Sequence, residues 1–189
     1  MEIISNGDLK GMDKSRLIYW VLGLSILAVM SRMAPHAPNF VPIGALALFV
    51  GAYLPKKWGY GAPLAILLLT DALIGFYDPK LMIAVYASHL VGVGIGYLMR
   101  SRVSAITVTL GAIGGATLFF LTTNFAVWLF STWYPHNLSG LLLAYEYGLP
   151  FFRNTLFSNV VYSLAFFGAY EFSKAFAWKR KLVLLTAKA

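Results

Sequence analysis

The sequence predicts an all-α protein, a polytopic membrane bundle of six transmembrane helices with both termini in the cytoplasm. Only 12% of the 189 residues are charged and 59% are hydrophobic, whereas soluble domains carry about 25% charged residues. The apolar residues form six runs that are long enough to be membrane segments. The lysine and arginine residues collect in alternate connections between those runs, as the positive-inside rule requires.

The first predicted span covers residues 17–30 and follows a polar tail. Basic residues ahead of an apolar run resemble a signal peptide, but Pro35 and His36 spoil the small-residue cleavage pattern. We therefore predict an uncleaved span. The chain then divides into a cytoplasmic N-terminal tail (1–15), a single membrane domain (16–178) and a basic cytoplasmic tail (179–189).

Spans two, three and four follow at residues 40–54, 62–76 and 81–99. Span three would be about 22 Å long as a helix. A hydrocarbon core is about 30 Å thick and needs roughly 20 residues, so span three is short. Short spans and spans interrupted by proline, such as Pro42 in span two, are expected where backbone lines a cavity. The two short spans therefore predict a pocket.

Span five covers residues 105–130 and is long enough to cross a membrane with tilt. Residues 133–152 are aromatic and amphipathic, and Pro135 and Pro150 interrupt them. That pattern predicts an interfacial or re-entrant segment rather than a span. Span six then covers residues 155–178.

The positions of the cations set the predicted orientation. If the N-terminus is cytoplasmic, 12 of the 15 lysine and arginine residues lie inside, and only Arg32, Lys80 and Arg153 lie outside. This split supports a multi-pass membrane protein whose basic connections lie in the cytoplasm. The net charge of +8 is then explained by orientation and by contact with anionic membrane lipid, so no nucleic-acid partner is predicted.

Polar side chains are costly inside a bilayer and commonly mark a functional site. Most of them fall in the outer half of the predicted bundle, where a small-molecule substrate would bind. Asp71 has three open interpretations: an ion pair with Arg32 or Lys80, ligand binding, or proton coupling. His89 is expected to bond to a serine or a backbone carbonyl. The candidate substrate-binding residues are Arg32, His36, Asn39, Asp71, His89, Asn124, Trp128, Asn154 and Asn159.

Several function classes are not predicted. The absence of cysteine excludes disulfides, iron–sulfur clusters and thiolate sites. Ser88, His89 and Asp71 resemble the members of a hydrolase triad, but adjacent helical residues point about 100° apart, so the first two cannot meet in the required geometry. We therefore predict no catalytic residue, no metal site and no cofactor.

Small residues recur at every fourth position of span four, at Ser88, Gly92 and Gly96. Such stripes let helices approach closely. They predict packing inside the bundle. The alternative is a docking surface on a non-transport membrane subunit or assembly factor of a larger complex.

Three stretches resemble an uncharacterised bacterial family of membrane transport proteins, over roughly residues 30–172. That family is similar to the S components of energy-coupling-factor (ECF) vitamin transporters. The resemblance implies six helices, an outward-facing ligand site roofed by loops, and uptake of a vitamin, a precursor or a metal complex. The stretches are PNFVPIGALALFVGAYLPKKWGYGAPLAILLLTDALIGFY, TNFAVWL and GLPFFRNTLFSNVVYSLAFFG.

The resemblance also raises an ECF-type energising module as a partner. S components that dock on a shared module tend to carry Ala-xxx-Ala motifs on the first helix. Span one has Gly23, Ser25 and Ala28, which are not at that spacing. Transport with such a module and transport by a solitary protein therefore both stay open.

Overall fold

A computed structural model describes residues 6–186, and over that range the chain forms six helices and no strand. The all-α prediction is confirmed. Among the described residues, three helices are long and apolar enough to cross a membrane, at Lys14–Met33, Pro79–Leu98 and Ala105–Phe130. The helices are α1 (Asn6–Met33), α2 (Ile43–Tyr53), α3 (Lys56–Ile74), α4 (Pro79–Leu98), α5 (Ala105–Phe130) and α6 (Leu138–Thr186).

Both predicted tails are helical over the part of them that the structure describes. Helix α1 begins at Asn6 rather than at residue 16, so most of the predicted N-terminal tail is helical. Helix α6 continues through Thr186, so the predicted basic tail is helical over most of its length. Residues 1–5 and 187–189 lie outside the described part of the chain.

The predicted break at Pro150 is wrong, because this proline lies inside the 49-residue helix α6. An internal proline loses one backbone hydrogen bond and crowds the preceding turn. Here, α5 packs against α6 on both sides of the proline. The ring of Phe120 lies 5.5 Å from that of Tyr145 and 4.7 Å from that of Phe152. The segment before Pro150 is therefore an ordinary part of a helix that is packed along its neighbour.

Neighbouring helices alternate in direction along the chain. Helices α2 and α6 run parallel, since Gly44 abuts Asn159 at one end and the Tyr53 hydroxyl donates to Glu171 at the other, at 2.6 Å. Helices α5 and α6 run antiparallel, since Phe120 packs on Phe152 whereas Asn124, further along α5, packs on the earlier Gly148.

Helix α2 is the centre of the bundle, and nine of its eleven residues are buried. Glycines allow this close packing against α4. A Cβ added at Gly96 would overlap the carbonyl oxygen of Leu48, and one at Gly51 would overlap that of Val93. At Gly92 an added Cβ would lie 3.5 Å from that of Ala47. The small-residue stripe of α4 therefore faces α2, inside the bundle.

Candidate functional site

A cavity of about 390 Å³ lies in the bundle, and all six helices or their connections contribute to its wall. This volume is at the lower end of the range of about 300–1,000 Å³ for small-molecule sites. The wall is largely aliphatic and aromatic and includes a few polar groups. Its residues are Arg32, His36, Asn39, Val41, Ile43, Gly44, Ala47, Leu67, Ile74, Tyr77, Val85, Ser88, His89, Gly92, Gly115, Phe119, Thr155 and Asn159.

The structure brings five of the nine predicted site residues together at this cavity. They come from α1, the connection between α1 and α2, α4 and α6. These five are Arg32, His36, Asn39, His89 and Asn159. The four predicted site residues that are not part of its wall are Asp71, Asn124, Trp128 and Asn154.

Asp71 lies behind the cavity wall in an ion pair with Arg32. One Arg32 nitrogen lies 2.7 Å from an Asp71 oxygen, and the Tyr86 hydroxyl donates to the other oxygen at 2.7 Å. The Asp71 side chain is 2% exposed, against 19% for Arg32. Of the two cations that the sequence offered, Arg32 is the partner. Both carboxylate oxygens are therefore engaged, and Asp71 is not part of the cavity wall.

The guanidinium of Arg32 is held in place from behind and still has donors to spare. A second nitrogen donates to the Thr70 hydroxyl at 2.7 Å, and that hydroxyl donates to the Ile66 carbonyl at 2.7 Å. A guanidinium carries five N–H groups. Two of them are used in these contacts, and the described residues supply no partner for the others. Arg32 can therefore donate hydrogen bonds to a molecule in the cavity.

Asn159 is a buried amide without a protein partner. It is 6% exposed, lines the cavity, and forms no side-chain hydrogen bond with any residue that the structure describes. Its amide packs directly on Gly44, where an added Cβ would overlap Oδ1. Its amide atoms are not fully enclosed: among the described residues, the enclosed side-chain polar atom without a partner is Ser163 Oγ. The Asn159 amide therefore faces the space of the cavity and can form hydrogen bonds with a molecule there.

His89 and Ser88 contribute neighbouring polar groups from α4. The Nδ1 atom of His89 lies 2.8 Å from the Val85 carbonyl, so the bond to a backbone carbonyl that the sequence predicted is confirmed. A carbonyl only accepts, so Nδ1 carries the hydrogen, and the neutral ring keeps Nε2 as an acceptor. The His89 ring meets Phe119 edge-on, with centroids 5.2 Å apart. The Ser88 hydroxyl donates to the Ala84 carbonyl at 2.7 Å.

The connection between α1 and α2 forms one wall of the cavity and is pinned by α6. The Asn154 amide donates to the Pro38 carbonyl at 2.9 Å, and the Ser158 hydroxyl donates to the Asn39 carbonyl at 3.5 Å. Asn39 has a φ of 60°, the left-handed region that asparagine tolerates better than most residues. Asn154 therefore supports the wall from behind rather than lining the cavity.

Substitution of Asn39 tests whether this backbone conformation matters. We expect Asn39→Gly to leave the free energy of unfolding nearly unchanged and Asn39→Val to lower it by about 1–2 kcal/mol, because a β-branched residue strains the left-handed conformation. Unfolding of the purified protein in detergent measures both. Equal stability of the two variants would show that the connection relaxes freely.

Asn124 and Trp128 join α5 to the start of α6, away from the cavity. The Asn124 amide donates to the Phe120 carbonyl at 2.8 Å and packs on Gly148, where an added Cβ would overlap it. The Trp128 indole donates to the Pro135 carbonyl at 3.0 Å. The structure therefore does not support these two residues as cavity ligands. Their polar and aromatic character serves the contact between two helices.

Thirteen of the 18 lining residues were not among the predicted ones, and four of these carry polar or aromatic side chains: Tyr77, Ser88, Phe119 and Thr155. Thr155 precedes the predicted Asn159 by one helical turn, so it shares a face with it. Tyr77 follows the end of α3 and has no periodicity to identify it. Burial, reinforced by the nearby Asp71 carboxylate, raises the pKa of Tyr77 to about 12, so its hydroxyl stays protonated at neutral pH.

Metal chemistry has no candidate centre in the described part of the chain. No three His, Cys, Asp or Glu side chains come together there in a group that could hold an ion. The polar groups of the cavity are instead donors and acceptors of the kind that orient an organic solute.

Comparison with known proteins places the chain in one family. Neither a curated protein nor a solved structure matches it. Residues 13–182 match the model of a family described as "Family of unknown function (DUF6580)". That match spans every residue that lines the cavity. The chain therefore belongs to the DUF6580 family, whose function is unknown.

Proposed function

We propose that this protein is a six-span transporter of the bacterial inner membrane, of S-component type, that binds a small solute in the cavity and carries it inward. The observation that carries the proposal is the cavity itself: a largely apolar chamber built by the whole bundle, with unused donors of Arg32 and the unpartnered amide of Asn159 in its wall. A structural bundle has no need of such a chamber.

The alternating helix directions and the distribution of charge support six crossings with both termini inside. Helix α2 is too short to cross a typical hydrocarbon core alone. It is also surrounded by its neighbours, so protein rather than lipid covers its ends. Arg100 caps its C-terminal end by donating to the Gly51 carbonyl at 2.9 Å, and also to that of Leu54. That end belongs to the basic, cytoplasmic side of the proposed topology.

The same topology directs the cavity outward. Arg32, His36 and Asn39 belong to the end of α1 and the connection that follows it, which the proposal places on the outer side. A solute reaches the cavity past this connection, and rearrangement of the bundle then exposes it to the cytoplasm. The alternative of a docking subunit has less support, because Gly92 and Gly96 already pack against α2.

Two neighbouring glycines of α5 provide a matched test of solute binding. Gly115 lines the cavity and Gly114 does not, and a Cβ added at either meets no atom within 4 Å. We expect Gly115→Leu to fill the cavity and reduce solute binding and uptake at least tenfold. Gly114→Leu adds the same side chain about 100° around the helix and should retain both activities.

The measurement begins with mass spectrometry of small molecules that co-purify with the wild-type protein in detergent. The binding and uptake of the molecule identified are then compared in the two variants. Retention of the solute by Gly115→Leu, or absence of any co-purifying or transported solute from all three proteins, would contradict the proposal.

A further inference from the structure

We infer that the transported solute is a monocarboxylate with an apolar body, and that Arg32 binds its carboxylate. This inference rests on the proposed function and names the substrate class for the same cavity. It depends on three features of the wall: its permanent charge, the way that charge is held, and the character of the surfaces around it.

Arg32 is the one lining residue that carries a permanent charge, and no acidic side chain lines the described cavity. A cationic solute would find no carboxylate to neutralise it in this largely apolar chamber, where an unpaired charge is costly. An anionic solute would meet the unused N–H groups of Arg32. The planar guanidinium matches the two oxygens of a carboxylate, and such charge-assisted pairs are among the stronger hydrogen-bonded contacts.

The ion pair behind the wall limits the charge that the solute can carry. Asp71 neutralises part of the Arg32 charge from the side away from the cavity, at 2.7 Å. Because Asp71 already balances the Arg32 charge, each negative charge on the solute adds to an excess in the chamber, so a single charge is accommodated better than the double charge of a phosphate ester. Asp71, Thr70 and Tyr86 hold the guanidinium in position, so they are positioning residues rather than ligands.

The other lining residues indicate which kind of molecule lies beyond the carboxylate. Leu67, Val85 and Phe119 provide aliphatic and aromatic surface. Asn159, a buried residue, adds one amide that lacks a partner among the described residues. A molecule with a carboxylate at one end and an apolar ring or chain beyond it fits this combination, and a second polar group can be met by Asn159.

Three probes that differ only in their end group test the inference: 3-phenylpropionate, 3-phenylpropionamide and 3-phenylpropylamine. Each is added to the purified protein in detergent, and its affinity is measured from the concentration dependence of the melting temperature. We expect the acid to stabilise the protein and the amide and amine to bind at least about tenfold more weakly, since a hydrogen bond to a charged group contributes about 1.5–3 kcal/mol.

Variants then assign the effect to Arg32. Arg32→Gln should weaken binding of the acid at least about tenfold, whereas Lys80→Gln, which also removes one cation but lies outside the cavity wall, should not. Because Arg32→Gln leaves Asp71 buried without its partner, the double variant Arg32→Gln/Asp71→Asn replaces both charges by amides. It should fold and should show the same loss for the acid, with binding of the amide unchanged.

Each result counts for or against the carboxylate. Stabilisation by the acid alone, lost in both Arg32 variants, supports it. Equal or stronger binding of the amide or amine, binding of the acid that survives in both variants, or binding of none of the three overturns it. If the amide or amine binds and Gly115→Leu abolishes that binding, the carboxylate inference fails while solute binding in the cavity stands.

Discussion

Replacing Asp71 with alanine is expected to lower the free energy of unfolding by about 3–5 kcal/mol, because it leaves a largely buried guanidinium without its counter-charge. The side chain of Asp71 is 2% exposed and accepts hydrogen bonds from Arg32 and Tyr86, both at 2.7 Å. The substitution therefore removes the counter-ion of Arg32 and leaves the Tyr86 hydroxyl without its hydrogen-bond acceptor. Titration of unfolding in mixed detergent micelles measures the loss.

Two controls separate the buried pair from an ordinary ion pair. Lys174 pairs with Glu171 at 2.9 Å, but their side chains are 38% and 43% exposed. Lys174→Met should therefore change stability by less than about 1 kcal/mol. The double variant Arg32→Gln/Asp71→Asn keeps a hydrogen-bonding pair without charge and should recover most of the stability. If Asp71→Ala proves no more damaging than Lys174→Met, the buried pair contributes little and Arg32 is held by other contacts.

The sequence could predict the helices but not all of their partners. Apolar runs located the bundle, and the spacing of Gly92 and Gly96 indicated the close packing that α2 makes on α4. Continuity of α6 through Pro150 was beyond sequence reasoning. Local propensity favours a break there, and it is overridden by aromatic contacts with α5 that connect residues far apart in the chain.

The candidate site residues were predicted from their depth in the membrane bundle. A cavity also depends on the direction in which each side chain faces. Asn124 has the expected polar character, but its face turns toward Gly148, and no periodicity within α5 reveals that partner. Asp71 was correctly identified as unusual, but choosing between Arg32 and Lys80 required tertiary positions. Lys80 instead lies over the ring of Phe130, 5.2 Å from its centroid. Arg32 and Asn159 meet at one cavity only because α1 and α6 both reach it.

Gly96→Ala is expected to destabilise the bundle by about 1–3 kcal/mol, although alanine favours an isolated helix over glycine by about 1 kcal/mol. The added Cβ would overlap the Leu48 carbonyl oxygen and lie 3.0 Å from the Ala52 nitrogen. Both atoms are backbone of the buried helix α2, so the clash cannot be relieved by rotation of a side chain. Helices α2 and α4 would have to separate, and the interior packing between them would be lost.

Gly94 supplies the matched control because it lies on the same helix and faces elsewhere. A Cβ there would make only an ordinary contact, 3.9 Å from the Tyr60 hydroxyl oxygen. Gly94→Ala should therefore keep the propensity gain and raise the free energy of unfolding by up to about 1 kcal/mol. The two substitutions add the same methyl group two residues apart. Measured by unfolding in detergent, they should change the free energy of unfolding in opposite directions. A stabilised Gly96→Ala protein would mean that α2 and α4 do not pack at this distance. The cavity that Gly44, Ala47, Ser88 and Gly92 help to line would then lose its structural basis.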